Sequence, residues 1–492
     1  MSANNYLIID FGASNGRLLV AKYNGSKFKM IVTHHFDNQP VFASGTLYWD
    51  ILRLYHELKI GIQTSLKKYK NLTSLGIDTW GADFGVIDKN GKLISNPVHY
   101  RDERRAKDSK SLFKIIPARE LFKLTGAYIL PIYDLFHLYS LKIQNSPEIQ
   151  SADKILSIAD IFNYFLTRNT CNEYTRVTTS ILFNQVKSRI EDSIFDRLNL
   201  PKNIFPPIIM PGEKIGSISA NVAKELEVEP VSVIAPATHD TASAVAGIPV
   251  IDKNVNWAFI SIGTWCAMGM EIDKPLISDE IFEKAFLNEA GVEGTNIFVK
   301  NINGLWVIQQ CRKRWLKEKE DLSWEEIVNL SSKARPFRSF INIEESQFAK
   351  PQLDMPKNIR NFCKETNQHI PENIGEVARC VYESLAMEFK YYLTFLENFT
   401  RRNIEILHIV GGGTKNKLLC KWISNATGLN VIAGPAETTS VGNLLMQLKV
   451  NREISSLDEG RQLSLNSSEV IIYQPEDKEI WDEAYFKYLK VL

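Results

Sequence analysis

The sequence predicts a mixed α/β protein made of two halves, each built around a strand hairpin. The first observation is a repeated pattern, in which an apolar strand runs into a glycine turn and a second strand follows. It occurs at residues 6–23 and again at residues 257–269. The second observation is the order strand, helix, strand within residues 1–100, which is typical of mixed α/β sheets. The third is the length of 492 residues, which suits two or three domains.

We place the boundary between the halves near residues 246–256, where Gly247 and Pro249 mark a break between elements and supply a hinge. The expected division is an N-terminal domain at 1–246, a C-terminal domain at 256–450, and an extension at 451–492 that packs on the body.

The elements of the first half follow from local patterns. Leu54, Leu58, Ile62 and Leu66 recur at four-residue spacing and predict an amphipathic helix, after which 75–79 is the next strand. Helical patterning occupies 108–200, and a proline-rich connector at 200–211 interrupts it. A short buried strand is predicted at 231–235, followed by a polar turn and a helix of small residues up to 245.

In the second half the best-marked helix begins at Asn373, with Glu376 three residues later completing a capping box. Apolar residues at helical spacing continue this helix to Leu396. A strand at 404–410 then runs into the triple glycine 411–413.

The composition excludes several classes of protein. Apolar residues make up 44% of the chain and charged residues 23%, as in water-soluble globular proteins. The 58 Lys and Arg residues balance 57 acidic ones, so we expect no nucleic-acid or membrane partner. The six cysteines form no C-x-x-C pair, which indicates buried thiols in a reducing compartment. We recognise no signal peptide or membrane span and expect a cytoplasmic monomer or homodimer.

The repeated hairpins suggest a nucleotide site. Glycine turns let backbone N–H groups approach phosphate oxygens, because no Cβ stands in the way. Either hairpin alone could be an ordinary glycine turn. Asp10 favours the functional interpretation, since an acid at the end of an apolar strand needs a partner, and a nucleotide-borne Mg²⁺ is a suitable one.

The common nucleotide signatures are missing from the sequence: there is no P-loop motif and no G-x-G-x-x-G after a strand, and no nucleophile elbow is present. Taken together, the motifs instead resemble those of the FGGY carbohydrate kinases, in the family's order and over essentially the whole chain. The matching stretches are Asp10–Arg17, Gly76–Phe84, Tyr100–Asp102, Thr238–Ala244, Ser261–Trp265, Lys300–Trp306, His408–Gly413 and Val431–Pro435.

The resemblance implies a two-domain actin and hexokinase-like (ribonuclease H-like) fold, with a nucleotide cleft between the halves and with ATP and Mg²⁺ as cofactors. Asp240 would be the general base that deprotonates the sugar hydroxyl, and Asp10, with Asp240, would hold Mg²⁺ through water. The residues implied in nucleotide binding are Gly12, Ala13, Ser14, Asn15, Arg17, Gly263, Thr264, Asn303, Gln310, Gly411, Gly412, Gly413 and Asn416.

On the sugar side the resemblance implies charged and aromatic groups that suit the hydroxyls and C–H faces of a polyol. They are Asp78, Trp80, Gly81, Asp83, Arg101, Asp102, His239 and Asp240. Three simpler interpretations stay open. Asp240 could only cap the helix that follows it, the triple glycine could be a flexible turn, and the charged run 102–107 is for the most part a solvated face. We assign His34 and His35 to a polar loop.

The resemblance further implies phosphorylation of a 6-deoxy ketohexose, L-rhamnulose, on carbon 1. One segment departs from the pattern: Tyr128–Asp134 stands where similar kinases have an Asn-centred segment that borders the sugar. L-fuculose is therefore the competing substrate. Two other classes remain as alternatives, an actin- or chaperone-like ATPase without a small-molecule acceptor and a catalytically inactive sugar sensor.

Overall fold

Two structural units divide the chain, and neither is a single stretch of sequence. The structure is a computed structural model that describes residues 4–250, 252 and 254–492. The first unit is formed by residues up to 250 together with 271–298 and 438–467. The second is formed by 252, 254–270, 299–437 and 468–492.

This division differs from two consecutive halves. Parts of the expected C-terminal domain and of the expected extension, at 271–298 and 438–467, belong to the first unit. The expected boundary at 246–256 includes residues 251 and 253, which lie outside the described residues.

The strands are numbered in chain order. They are β1 (Asn4–Phe11), β2 (Asn15–Tyr23), β3 (Phe28–Asp37), β4 (Val41–Ala43), β5 (Thr46–Tyr48), β6 (Leu72–Thr79), β7 (Phe84–Ile87), β8 (Lys154–Ser157), β9 (Asn172–Glu173), β10 (Phe183–Asn184), β11 (Arg189–Ile190), β12 (Ile208–Ile209), β13 (Lys214–Ser217), β14 (Ser232–Ile234), β15 (Trp257–Ile262), β16 (Trp265–Ile272), β17 (Phe286–Ala290), β18 (Asn296–Asn303), β19 (Ile406–Val410), β20 (Asn430–Ala433) and β21 (Ile471–Tyr473).

The α-helices are numbered in the same way. They are α1 (Ile51–Lys68), α2 (Glu103–Ile115), α3 (Ala118–Thr125), α4 (Asp134–Ile143), α5 (Pro147–Gln150), α6 (Ile158–Thr167), α7 (Tyr174–Thr178), α8 (Asp192–Leu198), α9 (Ala220–Leu226), α10 (Asp240–Ala246), α11 (Asp279–Glu283), α12 (Trp306–Trp315), α13 (Trp324–Lys333), α14 (Ser346–Ala349), α15 (Met355–Glu365), α16 (Ile374–Thr400), α17 (Lys417–Thr427), α18 (Thr438–Val450), α19 (Leu457–Ser467) and α20 (Lys478–Tyr488). Short 3₁₀ turns follow at Gly412–Lys415 and Leu489–Val491.

The first unit contains a six-stranded sheet with the order β13-β14-β6-β1-β2-β3. Strand β1 pairs antiparallel with β2 and parallel with β6, and β6 pairs parallel with β14. Helix α1 packs Leu54, Leu58 and Ile62 into the core beside this sheet, as their spacing predicts.

The sheet of the second unit repeats this arrangement. Strand β15 pairs antiparallel with β16 and parallel with β19, and β20 continues the parallel run beside β19. Strand β21 closes that edge by pairing antiparallel with β20. In each unit, therefore, a hairpin lies next to a parallel strand that ends on the same side as the hairpin turn.

Local sequence signals located most elements well. Helix α16 starts after Asn373, whose side-chain oxygen accepts a hydrogen bond from the Glu376 N–H at 3.0 Å. The assignment of His34 and His35 to a loop is wrong, because both lie in β3. In β3 the His34 ring forms a 2.7 Å hydrogen bond with Glu57, which gives it a polar partner.

The six cysteines are buried and unpaired. Within the described residues, no helix combines the length and the apolar character needed to span a bilayer.

Candidate active site

The first hairpin presents an acid and an arginine on either side of its turn. Asp10 is the second-to-last residue of β1 and lies opposite Arg17 of β2, whose guanidinium donates to Asp10 Oδ2 at 2.7 and 3.1 Å. The turn closes where the Gly12 N–H donates to the Asn15 carbonyl at 2.8 Å, and Ala13 is half-buried within it. Ser14 and Asn15 at the tip are exposed. Asp10 and Arg17 are therefore neighbours, and the tip is open to a ligand.

Asp78 lies beside Asp10, because the parallel pairing of β1 with β6 places the two residues in register. Its carboxyl is fully buried and accepts a hydrogen bond from Asn443 Nδ2 at 2.6 Å. Burial, and then the charge of Asp10, raise the pKa of Asp78 well above its usual range. Asp78 was predicted to face the sugar, whereas the structure places it in a group of acids at the strand ends.

Helix α18 supplies polar partners to this group that the sequence did not reveal. Ser440 donates to Asp10 Oδ2 at 3.1 Å, and Gln447 donates to the Leu7 carbonyl at 3.0 Å. Gly76 makes the close approach possible, since a Cβ at that position would lie 2.6 Å from Asn443 Oδ1. These contacts explain why residues near 440 belong to the first unit.

Asp240 is the first residue of α10, and it is not the N-cap, which is His239. Its side chain is 37% exposed and accepts a hydrogen bond from the Thr241 N–H at 2.7 Å. Partial desolvation of the carboxyl, and then the negative charge of Asp10, raise the pKa of Asp240 to about 7. A carboxyl that titrates near neutral pH and is open to solvent has the properties of a general base.

Glu173 holds the turn that leads to Asp240. This fully buried carboxylate accepts hydrogen bonds from the Thr238 N–H at 2.9 Å and from the Thr238 hydroxyl at 2.7 Å. It also accepts from the N–H and hydroxyl of Thr175, at 2.9 and 2.5 Å. Nothing in the local sequence around residue 173 indicates this role, because the partners at 238 lie 65 residues away.

His239 is buried against Gly81, where a Cβ would lie 2.2 Å from the ring atom Nε2. Its Nε2 lies 3.4 Å from Asp240 Oδ1, and its Nδ1 lies 3.6 Å from Glu289 Oε2. Burial, and then the positive charge of Arg176, lower the pKa of His239 to about 3, so the ring is neutral at physiological pH. Gly81, His239 and Asp240 thus form one contiguous site.

Asp83 and Asp102, two predicted sugar ligands, have their oxygens engaged by the protein. Asp83 is fully buried, ion-paired with Arg105 at 2.7 Å, and accepts from Trp49 Nε1 at 2.6 Å and from the Tyr100 N–H at 3.0 Å. Asp102 caps α2, accepting from the Arg104 N–H at 3.1 Å. Both therefore support the loops that carry their neighbours.

Trp80 and Arg101 remain available around those loops. The Trp80 ring packs at a tilt against Trp49 with ring centroids 4.0 Å apart, and its buried Nε1 has no hydrogen-bond partner among the described residues. Arg101 is exposed, and its guanidinium lies 5.4 Å from the centroid of the Tyr100 ring.

In the second unit the hairpin turn meets the triple glycine. Gly263 closes the turn by donating from its N–H to the Trp265 carbonyl at 3.0 Å. Gly411 has φ +82°, and a Cβ on Gly413 would lie 2.2 Å from Ile262 Cγ2. Gly411 and Gly413 are thus required for the backbone conformation and the close packing at the end of β15, and a flexible turn does not describe them.

A cavity of about 880 Å³ opens beside these glycines, entirely within the second unit. Five predicted nucleotide residues line it: Gly263, Thr264, Gly412, Gly413 and Asn416. Gly411 is not among the residues that line it. The cavity is apolar for the most part, with Ile308, Val328 and Trp324 among its walls, and its size suits a nucleoside.

Two further predicted residues of the second unit, Asn303 and Gln310, do not line this cavity. Asn303 is buried, and its amide donates to the Ile343 carbonyl at 3.0 Å. Gln309 of α12 lines the cavity in place of Gln310. Neighbouring helix residues point about 100° apart, so Gln310 faces another direction than Gln309.

Comparison with known proteins identifies the family. The sequence model of the N-terminal domain of the FGGY family of carbohydrate kinases matches residues 5–247, and that of the C-terminal domain matches residues 258–449. The chain belongs to this family. It is therefore an ATP-dependent sugar kinase, and the prediction made from its motifs is confirmed.

Curated relatives of this kinase match over nearly their whole length. A rhamnulokinase of Bacteroides thetaiotaomicron is 36% identical over 484 residues, covering 98% of this chain and 98% of the relative. A rhamnulokinase of Oceanobacillus iheyensis is 33% identical, covering 95% and 97%.

Solved structures of other kinases share the fold. Ligand-bound xylulose kinase from Lactobacillus acidophilus superimposes with a TM-score of 0.83 at 14% identity, covering 99% of this chain and 97% of that one. Plasmodium falciparum glycerol kinase with ADP gives a TM-score of 0.79 at 17% identity, again covering 99% and 97%. The predicted two-domain mixed α/β fold is thereby confirmed.

The donor set of the first unit fits a divalent cation. The charge of Asp10 raises the pKa of both Asp78 and Asp240, so these carboxyl groups lie close enough to repel one another when ionised, and a bound cation would offset that repulsion. Among the residues described, no three His, Cys, Asp or Glu side chains form a direct metal cage. Mg²⁺ keeps several waters and is often bound by one or two carboxylates together with substrate phosphates, so a cage is unnecessary.

Proposed function

We propose that this kinase transfers the γ-phosphoryl group of ATP to the carbon-1 hydroxyl of L-rhamnulose. The choice of sugar is supported by relatives: seven proteins named rhamnulokinase are 31–36% identical over at least 95% of this chain.

The observation that carries the mechanism is the state of Asp240. Its carboxyl is open to solvent, its pKa is raised to about 7, and the buried His239 lies 3.4 Å away. We assign it as the general base that takes the proton from the attacking hydroxyl. Thr238, held by Glu173, fixes the turn so that the carboxyl keeps its position.

We further propose that Asp10 and Asp240 hold Mg²⁺ through water. The bound ion would neutralise charge on the transferring phosphoryl group. Before the ion binds, Arg17 and Ser440 hold the Asp10 carboxylate in place. Gly12, Ala13, Ser14 and Asn15, at the open hairpin tip, are assigned to phosphate.

In the second unit we assign Gly263 and Thr264 to phosphate and the 880 Å³ cavity to adenosine. The wall formed by Gly412 and Gly413 lets a flat base lie against bare backbone, and Asn416, with Gln309 instead of Gln310, supplies polar groups at the rim. Asn303 is assigned a structural role because its amide is bonded within the protein.

The sugar-binding residues we propose are Trp80, Gly81, Arg101 and His239. Asp83 and Asp102 support them by fixing their loops, as their hydrogen bonds indicate. We retain as proposals the domains 1–246 and 256–450 with the 451–492 extension, a monomeric or homodimeric state, and a cytoplasmic location.

A coupled ATP assay tests the proposal. The purified kinase is given L-rhamnulose, L-fuculose, L-rhamnose, D-xylulose and glycerol, each with Mg²⁺-ATP. We expect the highest kcat/KM for L-rhamnulose, and NMR of the product should show phosphate on carbon 1. A higher kcat/KM for L-fuculose would make L-fuculose the substrate and would leave the proposed phosphoryl transfer to carbon 1 unchanged. A higher kcat/KM for D-xylulose or glycerol would refute the proposed substrate class, a 6-deoxy ketohexose.

A further inference from the structure

Glu289 is a buried acid that the proposed mechanism does not use. It lies on β17 within the first unit, and its side chain is 6% exposed. No hydrogen bond to its carboxyl occurs among residues 4–250, 252 and 254–492, and Oε2 is fully enclosed without a partner. An unpaired buried polar group costs free energy, so such a group in a native protein needs an explanation.

Other buried acids of the same unit have their partners. Asp83 is ion-paired with Arg105 at 2.7 Å, and Asp134 with Arg176 at 2.7 Å. Glu173 accepts four hydrogen bonds. Among the described residues, Glu289 has no such partner: the His239 ring lies 3.6 Å from its Oε2, and the charge of Glu289 raises the pKa of the nearby Tyr133 hydroxyl without a hydrogen bond between them.

The neighbours of Glu289 are residues of the proposed sugar site. His239 Nδ1 lies 3.6 Å from Glu289 Oε2, and this nitrogen is also enclosed and without a hydrogen bond. A movement of about half an ångström would bring the pair within hydrogen-bonding distance. Asp240 lies on the other side of the His239 ring. Glu289 Oε1 is not enclosed and remains the accessible atom of the carboxyl group.

We propose that Glu289 is a sugar-binding residue: Oε1 binds one hydroxyl of the substrate, while Oε2 faces His239 Nδ1 and fixes the orientation of the ring. The inference rests on the proposed function, because it assigns a further residue to the same sugar site. A ring held in this way presents Nε2 toward Asp240 and the reacting hydroxyl.

The protonation states agree with this role. Burial, and then the charge of Asp240, raise the pKa of Glu289 to about 8, so the carboxyl is mostly neutral at pH 7. A neutral carboxyl offers one donor and one acceptor, so one oxygen can bond the His239 ring while the other bonds a sugar hydroxyl, which can itself donate or accept. It also avoids placing another negative charge near the acids at the strand ends.

Steady-state kinetics of Glu289→Ala and Glu289→Gln test the proposal. We expect Glu289→Ala to lower kcat/KM for L-rhamnulose by about 10- to 100-fold, mainly through KM for the sugar, with KM for ATP unchanged within about twofold. Glu289→Gln keeps the shape and should lose less. Glu293→Gln is the matched control, since it makes the same change in the same segment at a partly exposed ion pair with Lys449.

Deoxy analogues identify the hydroxyl that is recognised. Analogues of L-rhamnulose lacking the hydroxyl at carbon 3, 4 or 5 are assayed with the wild type and with Glu289→Ala. Removal of the hydroxyl that Glu289 binds should lower kcat/KM of the wild type by at least tenfold. The same removal should leave kcat/KM of Glu289→Ala almost unchanged.

Two results would overturn the inference: kcat/KM of both variants within twofold of the wild type, or equal losses in wild type and variant for every analogue. A thermal melt identifies variants that fail to fold. If Glu289→Ala does not fold, the kinetics of Glu289→Gln decide the question. A wild type that phosphorylates none of the ketoses would instead refute the proposed function.

Discussion

In both units, the first strand of an antiparallel hairpin pairs with a parallel neighbour: β1 lies between β2 and β6, and β15 between β16 and β19. The backbone arrangement is the same, but the chemistry at the strand ends differs. Near its C-terminal end, β1 carries Asp10 beside Asp78, whereas β15 ends in Ile262, which Gly411 and Gly413 approach closely. The same local fold thus places acidic side chains at the strand ends of one unit and glycines, which have no side chain, at those of the other.

The difference suggests a division of labour between the units. Acids near one another raise each other's pKa values, which suits proton transfer and cation binding. A glycine wall next to apolar side chains suits a flat, uncharged base. Variants in the two hairpins should therefore differ in their effects. Those in the first unit should change kcat or the Mg²⁺ requirement, and those in the second should change nucleotide binding or stability.

The largest effect is expected at Asp240. Asp240→Asn should fold normally and lower kcat by roughly 10²–10⁴-fold, because an amide cannot accept the sugar proton. Single-turnover and steady-state rates measure the loss. Asp279→Asn is the matched control, since Asp279 also lies in the first turn of a helix and is exposed. Turnover of Asp240→Asn within a few-fold of the wild type would rule out the assignment.

The next effect concerns the cation. Asp10→Ala should raise the Mg²⁺ concentration for half-maximal activity by about 10- to 100-fold, as expected for a carboxylate that acts through water. The sugar Kd, measured by calorimetry without nucleotide, should change little. If the Mg²⁺ titration were the same as in the wild type, Asp10 would serve only to hold Arg17 and Ser440.

The pH dependence of the reaction tests the interaction between the acids of the first unit, Asp10 and Asp240. A general base acts in its ionised form, so kcat/KM for the sugar should rise about tenfold per pH unit up to about pH 7 and then level off. Removing the charge of Asp10 should move this midpoint to lower pH, because that charge raises the pKa of Asp240. A profile that is flat from pH 5 to 8 would contradict the raised pKa.

The smallest effect is expected in the glycine wall, and the chain offers its own control. Gly413→Ala places a Cβ 2.2 Å from Ile262 Cγ2, whereas Gly412→Ala meets nothing within 4 Å. We expect Gly413→Ala to destabilise the second unit by about 1–3 kcal/mol and Gly412→Ala by no more than about 0.5 kcal/mol. Thermal melts compare the two, and equal midpoints would mean that the wall is not tightly packed.

Local patterns determined much of this protein. In both hairpins, an apolar strand that runs into a glycine turn predicted the structure. The capping box of Asn373 and Glu376 predicted the start of α16. Asp240 at the start of α10 and the close-packed glycines after β19 were also visible as short motifs. These features could be predicted because hydrogen bonds and sterics within a few residues decide them.

Tertiary structure alone decided which side chains meet. Asn443 reaches Asp78 across 365 residues of sequence, and Glu173 reaches Thr238 across 65. The motif at 76–84 could not show that Asp83 would be neutralised by Arg105, which leaves Gly81 and Trp80 as the available part of that loop. Glu289 became a candidate for the sugar site only when β17 was found in the first unit. Burial and the charges of distant neighbours set both the pKa and the availability of each carboxyl, and these quantities depend on chain packing that no local pattern records.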